Sequence, residues 1–434
     1  MKNFLKLCSL ASLFAITLAL FPPTLRAQWV YVNDNQQALN TNTAWGFENI
    51  PITGLFPIPT EPALGWPTGG TSVSGTDASR DQALYTLGPI PCLFISEPLR
   101  STTPPARPRG DIAAFKVTTG SGVLTFVGRY APPVGNKGTT FGIGLATGKG
   151  TLYAGYTTTN TLQAWTIRSN CSLTPVGVPL AVVPLNGGFI DGMAESHDYR
   201  SLVVAYRDGS IQYFATAGTT ITPGCEINSA GFTDGNGGMP SGVDITKDSR
   251  YAIFGDVTGL NTPHGLTELE VVKLPIICPS PGTTDYGGGI TASGIGLGGF
   301  IDSTNVWISP DETVIYVTNN GPNAPQGFTT VDFTEPFITG LAGVLPACTL
   351  GFTNPTILIS PNGGFIEPNG IQTSVTTGNG TRVYVAEYGS PPPSAVALLN
   401  VDAVGCTQEA AGSPFADPSI KGGNQLNAWP PRPF

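Results

Sequence analysis

The chain has 434 residues, with 56 glycines and 40 prolines, only 11% charged side chains and a formal net charge of −9. Such an acidic surface excludes nucleic acid as a partner, because that binding depends on basic groups displacing counterions from phosphates. No stretch repeats apolar residues at spacings of three and four between helix caps, so long helices are excluded too.

From the N-terminus, Lys2 and Lys6 precede an apolar run over 7–21, followed by Pro22, Pro23 and Leu25-Arg26-Ala27. This pattern predicts a signal peptide over 1–27, cleaved after Ala27, and export to the periplasm or beyond the cell. An apolar run of about fifteen residues is short of the roughly 20 that span a bilayer as a helix, so no transmembrane segment is expected in the mature chain. Cys8 lacks the context of a lipid-attachment site and belongs to the signal. Removal of the signal leaves 434 − 27 = 407 residues and, without Lys2, Lys6 and Arg26, a net charge of −9 − 3 = −12.

Internal repetition then governs the reading. A strand rich in tyrosine and valine recurs at Trp29-Val30-Tyr31-Val32, Ala83-Leu84-Tyr85, Leu152-Tyr153-Ala154, Leu202-Val203-Val204-Ala205, Tyr251-Ala252-Ile253-Phe254, Val314-Ile315-Tyr316-Val317 and Val383-Tyr384-Val385-Ala386. Taken as the second strand of each of seven units, these are followed by third strands such as Ile112 to Val117, Leu162 to Ile167 and Ala395 to Val401, then by short fourth strands. Similar connectors separate units: Gly187-Gly188-Phe189-Ile190-Asp191, Gly298-Gly299-Phe300-Ile301-Asp302 and Gly363-Gly364-Phe365-Ile366-Glu367. The unit near Ala83 is expected to carry a long loop insertion over 88–110.

One such sheet cannot bury both of its faces alone, whereas sheets packed radially shield one another and leave only short edges. The prediction is an all-β, seven-bladed β-propeller of four-stranded antiparallel blades, a single domain over 28–434. The first unit lacks its own innermost strand, and Gln425 to Trp429 can supply it, so the last blade is expected to be closed by strands from both termini.

The Tyr316-Val317-Thr318-Asn319 strand, the Ser309-Pro310-Asp311 turn before it and Gly412-Ser413-Pro414-Phe415 resemble the repeats of the lactonase-like seven-bladed propeller family. The resemblance covers most of the mature chain and implies a fold. It constrains activity less, because that family holds enzymes that open sugar lactones or cyclise muconates beside secreted proteins with no assigned reaction.

In this repeat, fourth-to-first connectors and second-to-third loops emerge on one face, here termed the connector face. First-to-second and third-to-fourth turns emerge on the opposite, turn face. Asp191, Asp302 and Glu367 share a register at the start of the innermost strand and are expected to converge at one channel mouth. Converging carboxylates suit calcium, a hard cation taken by oxygen ligands, or a general base, or else hydrogen bonds from connector amides. His264 falls in a long second-to-third loop on the same face, as a ligand contact or a solvated residue. Arg100, Arg107 and Arg109 stand among prolines, where they suit an anionic ligand or a stiffened, soluble loop. His197 falls in a tight first-to-second turn and is expected to be a turn residue. With two histidines in all and no HExxH or paired-histidine spacing, a zinc hydrolase site is not expected.

Six cysteines follow the signal: Cys92, Cys171, Cys225, Cys278, Cys348 and Cys406. All but Cys92 occupy equivalent places near the third-to-fourth junction. Equivalent points on packed sheets lie about 10 Å apart or more, beyond the roughly 7 Å that a disulfide allows between Cα atoms, so mostly unpaired thiols are expected. Three functions fit these residues: binding, recognition or scaffolding of a small molecule, protein or glycan through the connector face; a lactonase-like hydrolase; or a self-associating cell-surface protein.

Overall fold

The computed structural model describes residues 28–34, 41–50, 54–59, 61–70, 82–97, 111–132, 143–184, 188–206, 210–228, 239–257, 268–277, 289–290, 303–319, 327–332, 368–376, 380–387, 394–402, 407–410, 412–417 and 426–429. These form a β-propeller of antiparallel sheets, numbered here in chain order.

Sheet 1 runs Leu426–Trp429, Gln28–Asn33, Thr43–Ile50, Gly54–Pro57 from inside out, with Trp66–Pro67 also paired to its third strand. Sheet 2 comprises Gln82–Tyr85, Cys92–Glu97, Asp111–Val117 and Leu124–Tyr130. Sheet 3 comprises Ile143–Gly148, Thr151–Tyr156, Thr161–Ile167 and Leu173–Ala181, and sheet 4 comprises Ile190–Glu195, Ser201–Tyr206, Ser210–Ala217 and Thr220–Asn228. Sheet 5 comprises Met239–Ile245, Tyr251–Val257, Glu268–Lys273 and Gly289–Ile290. Sheet 6 holds Ser303–Ile308, Val314–Asn319 and Gly327–Asp332, and sheet 7 holds Pro368–Thr376, Gly380–Glu387, Ser394–Val401 and Thr407–Glu409, with Phe415–Asp417 added on its third strand.

Six sheets are therefore complete four-stranded blades, where seven were expected. Sheet 6 has three strands among the described residues, and residues 333–367 lie outside them. The signal peptide expected over 1–27 lies outside them as well. Sheet 1 joins distant parts of the chain, with Trp29 opposite Trp429 and Val32 opposite Leu426. The innermost strands neighbour one another in chain order, and Leu426–Trp429 touches both Pro368–Thr376 and Gln82–Tyr85.

Every residue of Cys92–Glu97, Thr151–Tyr156 and Ser201–Tyr206 is buried, because a second strand is covered on both sides by neighbouring sheets. That is why these strands read as unbroken apolar runs rather than alternating ones. The core is accordingly a series of seams. Phe94, Tyr156 and Trp165 fill the one between sheets 2 and 3, and Val32, Trp45, Tyr384 and Leu398 the one between sheets 1 and 7.

Two expectations are corrected. Ala83-Leu84-Tyr85 belongs to the first strand of sheet 2; the second is Cys92–Glu97, inside the segment assigned to an insertion over 88–110. Pro91 stands just ahead of this strand, where a proline removes no ladder hydrogen bond. The thiols are also not mostly free. Cys92 and Cys171 form a disulfide with Cα atoms 5.4 Å apart, and Cys225 is disulfide-bonded to a partner outside the described residues. The spacing argument compared equivalent positions, but Cys92 opens a second strand while Cys171 sits in a third-to-fourth turn with φ 68°, so the two are not equivalent.

Three turns on the turn face share one design. Ser196, Thr246 and Ser309 donate to Asp198, Asp248 and Asp311 at 2.6, 2.8 and 2.6 Å, and accept from Ser201 N, Tyr251 N and Val314 N. The residue after each aspartate, Tyr199, Ser249 or Glu312, is left-handed, with φ near 60°. Adjacent turns are linked: Asp198 N donates to Ser249 Oγ at 3.0 Å, and Lys247 N donates to Glu312. His197 is a turn residue, with Nε2 3.0 Å from the Ile245 carbonyl of sheet 5.

Candidate functional site at the connector face

Second strands end, and third strands begin, on the connector face. In sheet 2 this sets Glu97 opposite Asp111, and in sheet 1 it leaves Asn33 and Asp34 beside Thr43. Asp34, Asn42 and Glu97 are 0% exposed and Asp111 1%, a depth at which carboxylates persist only with partners. Asp34 takes hydrogen bonds at 2.6 Å from both Thr43 N and Thr43 Oγ1.

Asn42 is the hub of this clamp. Its Nδ2 donates to Glu97 Oε2 at 2.7 Å, its N–H reaches Gly70 O at 3.1 Å, and its carbonyl accepts from Thr68 N and Thr68 Oγ1 at 2.9 Å. Arg129, from the outer strand of sheet 2, donates to Thr68 O. The segment 66–70 is thus strapped across the top of sheets 1 and 2. It passes so close that a Cβ at Gly70 would lie 1.8 Å from Glu97 Oε2, and Gly69 has φ +72°. Gln82 Nε2 to Tyr31 O at 2.7 Å and Asn427 Nδ2 to Gln82 O at 3.0 Å tie the C-terminal strand into the same corner.

A second anchored element lies at the top of sheets 3 and 4. A 3-10 turn, Thr157–Thr159, ends at Asn160, which is left-handed at φ 45°. Asn160 Nδ2 donates to Gly188 O at 2.8 Å and Thr157 Oγ1 to Ile190 O at 3.2 Å. The connector leading to Asp191 is therefore held by the neighbouring sheet's loop. Below it, burial, with a smaller contribution from Asp111, raises the Tyr156 hydroxyl well above its ordinary range.

Of the expected site residues, Asp191 lies in the innermost strand of sheet 4 at the connector face, and its side chain is outside the described set. Asp302, Glu367, His264, Arg107 and Arg109 lie outside the described residues. Among the described residues no group of three or more His, Cys, Asp or Glu is placed to hold a metal ion. Sequence reasoning missed Asp34, Asn42, Glu97 and Asp111. A signal existed, since acidic residues close the second strands of sheets 1 and 2 at similar positions. Being buried, these carboxylates shape loops rather than meet a ligand directly.

No protein-family model matches the chain, and no curated protein matches it. Solved structures do. A candidate 6-phosphogluconolactonase of Bacteroides fragilis superposes with a TM-score of 0.60 at 13% identity, covering 94% of this chain and 99% of that one. A counterpart from Bacteroides uniformis gives 0.59 at 11%, covering 93% and 99%. A periplasmic gluconolactonase of Pseudomonas aeruginosa gives 0.55 at 11%, also covering 93% and 99%. The β-propeller fold is shared with these three structures; at these identities the likeness defines architecture alone. Among the described residues no helix is long and apolar enough to cross a membrane.

Proposed function

We propose that this chain is an exported, seven-bladed propeller, closed between its two termini, that binds a small molecule, protein or glycan at its connector face. The observation that carries this reading is the pinned connector before Asp191, held by Thr157 and Asn160 from the neighbouring sheet. A binding group gains most when its backbone is positioned before the ligand arrives. In the reading, Asp191, Asp302 and Glu367 present carboxylates at the channel mouth, with calcium as the cation they suit, while His264, Arg107 and Arg109 contact the ligand from loops. Export would place the site in the periplasm or outside the cell.

A second reading, opening of a small lactone ring, is favoured by the architectural likeness to the three lactonase-like propellers. Water must then be activated by a base, and a connector carboxylate is the residue type available for it. A lactone-hydrolysis screen, run with and without calcium on wild type and on Asp191→Ala, Asp302→Ala and Glu367→Ala, separates the two. Hydrolysis lost in the variants moves the assignment to an enzyme. Calcium binding by calorimetry that weakens in the variants, without turnover, supports the binding protein. Unchanged behaviour of all three variants in both measurements removes these residues from the site.

A further inference from the structure

Glu195 ends the innermost strand of sheet 4 on the turn face, away from the connector site. It lies at the seam with sheet 3, where Tyr153 of sheet 3 donates its hydroxyl to Gly218 O of sheet 4 at 2.5 Å. The donors around its carboxyl are few. Thr216 Oγ1 lies 2.8 Å from Glu195 Oε1, but the same hydroxyl is 3.2 Å from Tyr199 O and has one proton to give. Glu195 Oε2 is buried and meets no hydrogen-bond partner among the described residues. An ionised carboxylate uses several donors, so this seam suits the neutral acid and not its conjugate base.

We propose that Glu195 is a proton-sensitive latch on the seam between sheets 3 and 4, closed while the carboxyl carries its proton and loosened toward water when it ionises. The groups facing it agree. Tyr153 and Tyr199 are neutral phenols near it, and Asp198, in its own turn, adds like charge; Lys149 and Arg200, the cations of the adjoining turns, are exposed. Burial raises the carboxyl from 4.5 to about 8, the Thr216 hydroxyl opposing and Asp198 adding to the rise. The folded protein thus holds a proton that the unfolded chain releases. Stability from this group is greatest below the unfolded value of 4.5, falls as pH rises through the interval, and reaches its lowest level above about 8. Inside that window the unfolding constant grows by up to about tenfold per pH unit. Asp248 and Asp311, whose hydrogen bonds lower them below 3.8 despite burial, act with the opposite slope and outside this window.

The test is denaturant unfolding of the intact, oxidised protein from pH 5 to 9, for wild type, Glu195→Gln and Thr216→Val. Wild type should lose stability across this range while Glu195→Gln stays nearly flat and exceeds wild type at pH 9. Thr216→Val, lacking the donor, should extend the decline to higher pH. Parallel curves for wild type and Glu195→Gln, or an unmoved decline in Thr216→Val, would overturn the latch. Should Glu195→Gln not fold, two wild-type measurements still decide: the infrared band of a neutral carboxylic acid at pH 7 must fade by pH 9, and hydrogen exchange at Thr216 N, which is bonded to Arg200 O at 2.9 Å, must outpace the intrinsic base-catalysed increase. Failure of either would equally overturn it.

Discussion

The two faces of the propeller are built on different principles. On the turn face of sheets 4 to 6, one device recurs three times: a hydroxyl, an aspartate two residues on, and a left-handed residue after it. At the connector face of sheets 1 and 2, the Asn42 hub joins Glu97, Gly70, Thr68 and, through Thr68, Arg129, and nothing in the other described blades repeats it. The difference teaches where specificity resides. A repeated turn closes its own hairpin through partners at most five residues away and adds a link to the next turn, whereas the clamp joins residues 55 apart at one corner and can be altered without disturbing the repeat.

Where sheets 2 and 3 lack that turn, the Cys92–Cys171 disulfide holds the turn face. It should produce the largest effect. A cross-link separated by 79 residues restricts the unfolded chain by about 4 kcal/mol on the chain-entropy account, so paired replacement by alanine should lower the denaturant midpoint and steepen the slope, because the unlinked denatured chain exposes more surface. Next comes the clamp. Gly70→Ala drives a methyl into the buried Glu97 carboxylate and should cost about 1–3 kcal/mol by the same measurement. Asn42→Ala leaves Glu97 short of a donor and should cost a similar about 1–3 kcal/mol. If either changed stability no more than a turn substitution, the contrast between the faces would break.

The turns should give the smaller, uniform effects that repetition implies. Ser196→Ala and Ser309→Ala should each cost about 1 kcal/mol, and agreement between them sharpens the comparison, since equivalent residues then do equivalent work. Smallest of all is the acid response. Burial alone would raise Asp248 and Asp311, but hydrogen bonds from Thr246 and Arg250, and from Ser309 and Thr313, hold both below 3.8. Their stabilisation is present above that value and fades as pH falls through the lowered ones. Asp311→Asn should therefore flatten a stability profile recorded from pH 5 down to 2.

Much of the architecture was legible because it repeats. Six of the seven tyrosine- and valine-rich runs are second strands, and the antiparallel propeller follows from their need for cover on both sides. The exception, Ala83-Leu84-Tyr85, carries the same local pattern one strand early, and periodicity alone could not tell a first strand from a second. The site was less legible. Repeat position placed Asp191 correctly at the start of an innermost strand but gave no means of seeing Glu97 and Asp34 as buried partners of loops.

What the chain's order of residues determines by itself is therefore the all-β repeat and the faces on which its turns emerge, because each follows from contacts within a few positions and from apolar runs that demand burial. Only the tertiary structure decides that Asn42 meets Glu97, that Cys92 finds Cys171, and that Glu195 has, among the described residues, a single shared donor. Those pairings arise between sheets, where the packing distance and the lean of individual turns select partners that no local spacing encodes.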